Sequence, residues 1–198
     1  MFSERFKLND SFNHREEDST MKITKSRLAA LALSLCFSGA FAGDGELAEH
    51  FEPLKPFIGK TWKGVFTNST PEKPIIDIAR WERALNGQAV RHVHSLNDGE
   101  YGGETMIIWN KEKERLEYYY FTTQGFMTQG TMRFEDGKLI SHEHVTGNEN
   151  GITEVKSIGE KLPDGRMKSS SQYLQNGKWV DGHGAVYEEA PGAKIVFK

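Results

Sequence analysis

Hydrophobic and polar residues alternate along most of the chain from residue 61 onwards, in short runs divided by turn sequences. An alternation with a period of two is typical of β-strands that bury one face. Strands of about 7 to 10 residues fit the spacing of these turns. The pattern predicts strands at residues 61–67, 74–83, 88–96, 101–109, 115–122, 126–134, 138–146, 151–160, 165–174 and 179–188.

The joints between these runs are rich in the dipeptides that tight hairpins require. Asp-Gly occurs at residues 98–99, 136–137 and 164–165, and Asn-Gly occurs at residues 86–87 and 176–177. Both dipeptides accept the positive φ angles of two-residue hairpin loops. We therefore expect each strand to pair antiparallel with the next one along the chain.

A meander of about ten strands leaves two unpaired edges unless its first and last strands pair with each other. Closure of a barrel of this size also creates an interior that holds a small ligand. We therefore predict an all-β fold, an antiparallel up-and-down barrel of about ten strands. A two-layer sandwich is the alternative that the pattern leaves open.

A different pattern precedes the first predicted strand. Leu47, Phe51 and Leu54 follow the spacing of one helical face, and Pro53 and Pro56 interrupt it. Proline inside a helical pattern ends or kinks the helix. We predict a short, broken N-terminal helix that ends in a turn before the barrel begins.

The segment at residues 21–42 has the layout of a secretory signal peptide. Three basic residues precede an apolar run at residues 28–37, and the segment ends in Ala40-Phe41-Ala42. This order of basic, apolar and small residues is the one that export signals share. The run is shorter than the roughly 20 apolar residues that span a bilayer, so a permanent anchor is the weaker interpretation. We expect cleavage after Ala42 and a periplasmic or secreted protein.

Residues 1–20 are polar and stand in front of the basic part of this signal. Because an export signal normally opens the chain, we expect residues 1–20 to be a mis-annotated N-terminal extension and Met21 to be the start. Residues 43–198 then form a single β-barrel domain. The one cysteine, Cys36, lies within the signal, so we expect no disulfide in the mature domain.

The charge balance argues against nucleic-acid and membrane partners. The chain has 25 Lys and Arg against 28 Asp and Glu, a formal net charge of −3. Such a chain does not attract a polyanion or an anionic membrane surface. We expect a small-molecule ligand, no nucleic acid, and no membrane contact after signal cleavage, while the oligomeric state stays open.

The stretch "LKPFIGKTWKGVF" at residues 54–66 resembles the opening of calycin barrels, which include lipocalins, nitrobindin-like haem barrels and small uncharacterised exported bacterial relatives. In those families a short helix closes the barrel base, and a glycine and a tryptophan open the first strand. The resemblance assigns these positions to Gly59 and Trp62, with one more residue between them than is usual. Residues 101–132 look like strand pairs of such exported proteins. The resemblance implies a barrel around a pocket and no particular reaction.

Two His-x-His pairs, His92 with His94 and His142 with His144, are the most distinctive polar features. Side chains two positions apart on a strand share a face. Four such imidazoles are enough ligands for a zinc ion, although the two pairs lie on strands that are not neighbours. Alternatively, His92 and His94 point inward and bind a ligand through hydrogen bonds, or the histidines have no role. We expect the first pair to point inward because it shares a face with Val90.

Aromatic residues line both faces of one predicted strand. Tyr118 and Tyr120 share one face, and Tyr119 and Phe121 share the other, so one pair is expected in the pocket. An inward Arg80 would bind a carboxylate ligand, whereas an outward one would form a solvated ion pair with a neighbouring glutamate. The residues expected to bind the ligand are Trp62, Arg80, His92, His94, Trp109, Tyr118 and Tyr120.

Known catalytic signatures for a nucleophile elbow, a zinc protease, a phosphate loop or a dinucleotide fold are absent. Glu104 and Glu143 are candidate acids or bases, although their strand positions favour solvent-facing side chains. His183, between two glycines that indicate a bulge, is a candidate haem ligand by resemblance to nitrobindin-like barrels. The leading hypothesis is an exported small-molecule-binding barrel with an apolar or amphipathic ligand. The alternatives are a zinc-binding protein and an enzyme with a His/Glu pocket.

Overall fold

The computed structural model of the protein describes residues 45–148 and 150–198, and β-strands account for most of them. The expected signal peptide and the extension before it lie outside the described residues. All predicted strands are present within about two residues of their predicted ends. The strands are β1 (Thr61–Phe66), β2 (Ile76–Ala84), β3 (Ala89–Leu96), β4 (Tyr101–Asn110), β5 (Arg115–Thr122), β6 (Met127–Glu135), β7 (Lys138–Thr146), β8 (Ile152–Lys161), β9 (Met167–Gln175) and β10 (Lys178–Glu189).

The strands form one closed antiparallel barrel. Each strand pairs with its neighbours in the chain, and β1 pairs with β10 to close the sheet. In the closing ladder Trp62 lies opposite Glu189, and Gly64 lies opposite Tyr187. The predicted up-and-down barrel is therefore confirmed, and the sandwich alternative is excluded.

Positive backbone angles mark the tight joints that the dipeptides predicted. Asp136 and Gly137 join β6 to β7 with φ angles of 50° and 74°. Asn176 and Gly177 join β9 to β10 with φ angles of 51° and 78°. These are the φ signs of a type I′ hairpin loop, in which Asn-Gly and Asp-Gly are preferred.

A 3₁₀ helix, Glu49–Phe57, closes one end of the barrel and is called the base helix below. Pro53 and Pro56 lie inside it, and the tighter 3₁₀ form replaces the α-helix that they disfavour. Phe51 and Leu54 are fully buried in a cluster with side chains of β3, β4 and β5. Each such burial contributes about 1.5–3 kcal/mol. The predicted short, broken helix is confirmed, in 3₁₀ form.

The last residues of the chain turn back along the outside of the barrel. The Ala190 amide donates a hydrogen bond of 2.8 Å to the Thr61 carbonyl at the base. The Val196 amide donates a hydrogen bond of 3.1 Å to the Ser95 hydroxyl on the outer face of β3. The C-terminal residues therefore cover part of the outer face near β3 and β4.

Candidate functional site

The barrel encloses a cavity of about 960 Å³ that receives side chains from all ten strands and from the base helix. Most of its wall is apolar. A cavity of this volume is at the upper end of the range for a single small ligand, about 300–1,000 Å³. The apolar wall includes Leu54, Phe57, Trp81, Ile107, Met132, Phe134, Leu139 and Val155.

The cavity extends along the barrel from one set of turns to the other. Gln124, Phe126 and Asn148 line it at the end opposite the base helix. Gly137 and Lys161 line it towards the base. A ligand therefore has the length of the strands available, with the base helix forming part of the floor.

A chain of hydrogen-bonded side chains crosses one wall of the cavity, and we call it the polar relay (Tyr187, Asp77, His94, Tyr120 and Tyr101). The Tyr187 hydroxyl donates to Asp77 Oδ2 at 2.9 Å, and His94 Nδ1 lies 2.9 Å from Asp77 Oδ1. His94 Nε2 lies 2.7 Å from the Tyr120 hydroxyl, which lies 2.8 Å from the Tyr101 hydroxyl. The five side chains come from five strands, β10, β2, β3, β5 and β4.

Asp77 is the buried centre of the polar relay. Its residue is 3% exposed, and a buried carboxylate needs hydrogen-bond donors on its oxygens. Because a carboxylate only accepts, Tyr187 and His94 Nδ1 are the donors. This fixes the His94 tautomer, so Nε2 of a singly protonated ring accepts the hydrogen bond from Tyr120.

The phenols of the polar relay are proton donors rather than anions. Burial raises the pKa of the Tyr120 phenol, and of the Tyr187 phenol, well above the ordinary value. Burial also raises the pKa of the Tyr101 phenol, and the negative charge of Asp77 adds to this effect. All three phenols therefore stay protonated at neutral pH.

Two glycines on the inner wall make room for the relay tyrosines. A Cβ atom on Gly64 would collide with the Tyr187 ring, and a Cβ atom on Gly103 would collide with the Tyr120 ring. Both rings therefore lie directly against the backbone of a neighbouring strand. This contact fixes the ring planes and so directs the hydroxyl groups.

His92 lies beside the polar relay in a ladder of rings. Its ring centroid is 4.5 Å from that of Trp81 and 5.8 Å from that of His94, with only 15° between the two imidazole planes. Burial lowers the pKa of His92 to about 3, and the neighbouring His94 imidazole adds to this effect. Its nitrogens form no hydrogen bond with the described residues. His92 is thus a neutral ring facing the cavity.

Glu143 lies in another part of the wall. The Thr128 hydroxyl donates to Glu143 Oε2 at 2.5 Å, and both residues line the cavity. Burial raises the pKa of this carboxyl. The expectation that Glu143 faces solvent is therefore wrong. Glu104 does lie outside, where Arg91 donates to it at 2.6 Å.

The two His-x-His pairs lie on opposite faces of the wall. His92 and His94 line the cavity as predicted, whereas the residues of β7 that line it are Leu139, Glu143 and Val145, which alternate with His142 and His144. The outer His142 instead lies 2.6 Å from Glu154 Oε2. The pairs therefore do not share a metal site. Within the described residues, no three His, Cys, Asp or Glu side chains form a metal-binding group.

Arg80 does not face the cavity. Its guanidinium lies 3.0 Å from Glu82 Oε1, and half of the side chain is exposed, so it forms the solvated ion pair that was the alternative. The inward orientation is wrong because Asp77 and Ala79, the residues of opposite parity on β2, take the inner face. Arg80 is thus excluded as an inward partner for a carboxylate ligand.

Trp62 and Trp109, which were expected to contact the ligand, pack at the base of the barrel and do not line the cavity. Trp62 is 2% exposed and packs edge-on against Phe57 of the base helix. Trp109 stacks on His50, with 3.7 Å between ring centroids. Neither side chain lines the cavity, so their expected contact with a ligand is corrected to a structural role. Tyr118 and Tyr120 do line it, and their ligand contact stays a prediction.

His183 lies in the predicted bulge of β10, between Asp181 and Gly184. Its ring lines the cavity, stacks on Phe66 at 4.9 Å, and contacts the Tyr173 hydroxyl through Nδ1. Its role as a haem ligand stays a prediction from resemblance.

Four residues of the cavity wall were not among the site residues predicted from the sequence. Asp77, Tyr101 and Tyr187 belong to the polar relay, and Tyr173 faces His183. Asp77 shares strand parity with Trp81, and this parity is the sequence signal that could have placed Asp77 on the inner face. The others are ordinary strand formers whose partners are distant in the chain.

Comparisons with known proteins support the fold alone. No family model and no curated protein matches the chain. The crystal structure of Rv2717c from M. tuberculosis is similar, with a TM-score of 0.54 and 14% identity over 73% of this chain and 99% of that chain. The closed ten-stranded barrel fits the calycin-like architecture. Among the described residues, no helix has the length and hydropathy to cross a membrane.

Proposed function

We propose that this protein is an exported small-molecule-binding barrel that holds an apolar or amphipathic ligand in its interior. The observation that carries the proposal is the cavity of about 960 Å³, with a largely apolar wall and one ordered polar relay. Apolar walls supply affinity, and a few fixed polar groups supply orientation.

The charges of the wall favour a neutral ligand. Its acidic groups include Asp77, which is already bonded to His94 and Tyr187, and Glu143, whose raised pKa favours the uncharged form. Its lysines, Lys161 and Lys168, are on β8 and β9 towards the base. The centre of the cavity therefore offers hydrogen-bonding groups and no cation for a carboxylate ligand.

Export is supported by the sequence of residues 21–42. Amino-terminal sequencing of the protein from its native host is expected to begin at Gly43. A chain that still begins at Met1 would contradict export through this signal.

The binding function is tested with the neutral fluorescent probe N-phenyl-1-naphthylamine and with native mass spectrometry of the protein from its own compartment. We expect the probe to bind and a retained organic mass to appear. Val155→Phe fills cavity space and should weaken probe binding about tenfold. Ile158→Phe, on the outer face of the same strand and 42% exposed, is the matched control and should leave binding unchanged. Equal binding by both variants would place the probe outside the cavity.

A second candidate function is acid–base catalysis inside the same cavity. It is favoured by one observation, that Glu143 and the relay histidine His94 line one interior. A carboxyl group with a raised pKa is suited to proton transfer near neutral pH. Turnover in a substrate screen that disappears in Glu143→Gln, while probe binding persists, would support this candidate. Turnover that persists in that variant would reject the role of Glu143.

A further inference from the structure

We propose that Tyr101 anchors the ligand by accepting a hydrogen bond from a phenolic hydroxyl group, so that the cavity selects hydroxylated aromatic molecules. This inference rests on the proposed function and names the ligand class. Three features support it: the direction of the hydrogen bonds in the polar relay, the free end of the relay, and the aromatic rings beside it.

The direction of the polar relay follows from its carboxylate. Asp77 accepts from Tyr187 and from His94 Nδ1. With one proton on the His94 ring, Nε2 accepts from the Tyr120 hydroxyl. The Tyr120 oxygen then accepts from the Tyr101 hydroxyl, 2.8 Å away. The hydroxyl protons of Tyr101 and Tyr120 are therefore both used in hydrogen bonds within the polar relay.

The end of the polar relay that a ligand meets is consequently an acceptor. The Tyr101 hydroxyl uses its proton in the hydrogen bond that it donates to Tyr120, so only its oxygen lone pairs remain for another partner, and its side chain lines the cavity. At the other end, Ser169 faces the Tyr187 oxygen. A ligand atom at Tyr101 must therefore be a donor, and a carbonyl or ether oxygen leaves this acceptor unsatisfied.

The aromatic rings beside the polar relay favour a ligand whose hydroxyl group is attached to an aromatic ring. Trp81, His92 and His94 form a ladder in which His92 is uncharged and without a hydrogen bond to the described residues. Flat aromatic groups pack well against such rings. A phenol is also a better hydrogen-bond donor than an aliphatic alcohol because its O–H group is more acidic.

The test compares 2-naphthol with 2-methoxynaphthalene and naphthalene, which share the ring system but lack the donor. Affinities are measured by calorimetric titration of the full mature chain. We expect 2-naphthol to bind about tenfold more tightly than 2-methoxynaphthalene, near the upper end of the roughly two- to twelvefold gain from one buried hydrogen bond. In Tyr101→Phe the preference should fall below about threefold, with naphthalene affinity retained as the sign of an intact fold. Tyr119→Phe, on the outer face of β5, is the matched control and should keep the full preference.

The outcomes separate the two proposals. If all three probes bind with equal affinity to the unaltered protein, the cavity binds aromatic molecules and the hydroxyl inference is overturned. A preference for the methyl ether would also overturn it, because the relay would then present a donor. A hydroxyl preference that survives in Tyr101→Phe overturns the assignment to Tyr101. If no probe binds, the inference fails and the proposed function loses its support from aromatic ligands.

Discussion

At the scale of single residues, the neutrality of His92 has a direct thermodynamic consequence. Its pKa is about 3 in the folded protein against 6.5 for the ordinary side chain, chiefly because of burial. Above pH 6.5 the ring is neutral in both folded and unfolded chains, so it does not affect stability. Below that value the unfolded chain binds a proton that the folded chain does not bind. The free energy of unfolding therefore falls as the pH falls from about 6.5 towards 3.

We predict that His92→Phe removes part of this acid sensitivity. The loss attributable to His92 is about 1.4 kcal/mol per pH unit, or about 2–3 kcal/mol at pH 4.5. Urea unfolding at pH 7.5 and at pH 4.5 measures this loss. From the higher to the lower pH, the free energy of unfolding should fall less in His92→Phe than in the unaltered protein. His144→Phe, on the outer face of β7, is the matched control. An equal loss in His92→Phe and in the unaltered protein would contradict a buried neutral ring.

The residue scale also shows the limit of sequence reasoning about the site. Strand parity placed His92, His94, Tyr118 and Tyr120 on the inner face, because parity is a local property. The bond between Tyr187 and Asp77 joins residues 110 positions apart. It depends on closure of β1 against β10, which no local pattern contains.

At the scale of elements, the glycines of the inner wall decide where the relay tyrosines lie. Gly103 in β4 and Gly64 in β1 each leave space for a ring that packs against the backbone. A glycine in a strand normally weakens it. Here the covering ring compensates, because it shields the exposed backbone of the strand.

We predict that Gly103→Ala destabilises the protein by about 1–3 kcal/mol, because the added methyl group collides with Tyr120 and with the Phe121 carbonyl. Gly159→Ala is the matched control, since its Cβ would lie 3.8 Å from Leu139 at an ordinary contact distance. Chemical unfolding of both variants measures the difference. Similar stabilities for the two would show that Tyr120 does not rest on β4 as described.

The elements themselves were largely predictable, and their faces less so. Turn dipeptides fixed the ends of the strands, because positive φ angles have a strong residue preference. The faces of β2 and β7 were harder to assign because both faces carry mixed residues. The sequence left Arg80 open between an inward ligand contact and a solvated ion pair, and it favoured a solvent-facing Glu143, whereas Arg80 lies outside and Glu143 lines the cavity.

At the scale of the whole molecule, closure and the base helix act together. Closure removes both sheet edges and sets the cavity, while Phe51 and Leu54 fill the base of the barrel. The prediction of closure followed from a general argument about unpaired edges. The position of the base helix followed from the resemblance of residues 54–66 to calycin barrels.

We predict that Phe51→Ala lowers the free energy of unfolding by about 3–5 kcal/mol, because the side chain is fully buried in the base cluster. Val65→Ala, at a residue that is 48% exposed, should change it by less than about 0.5 kcal/mol. Thermal and urea unfolding of the two variants provide the comparison. A small effect of Phe51→Ala would mean that the barrel is stable without its base helix.

Gly102 and Gly103 are adjacent in β4, so at this point the strand has no side chain on either the outer or the inner face of the barrel wall. Phe197 of the C-terminal stretch presses on Gly102 from outside, and Tyr120 presses on Gly103 from inside. Only the backbone of β4 separates Phe197 from Tyr120 at this point. A fusion partner or antibody that displaces the C-terminal residues from β4 is therefore expected to make the Tyr120 side chain less well ordered. Labels for binding studies are better attached to the hairpin at Asp136 and Gly137.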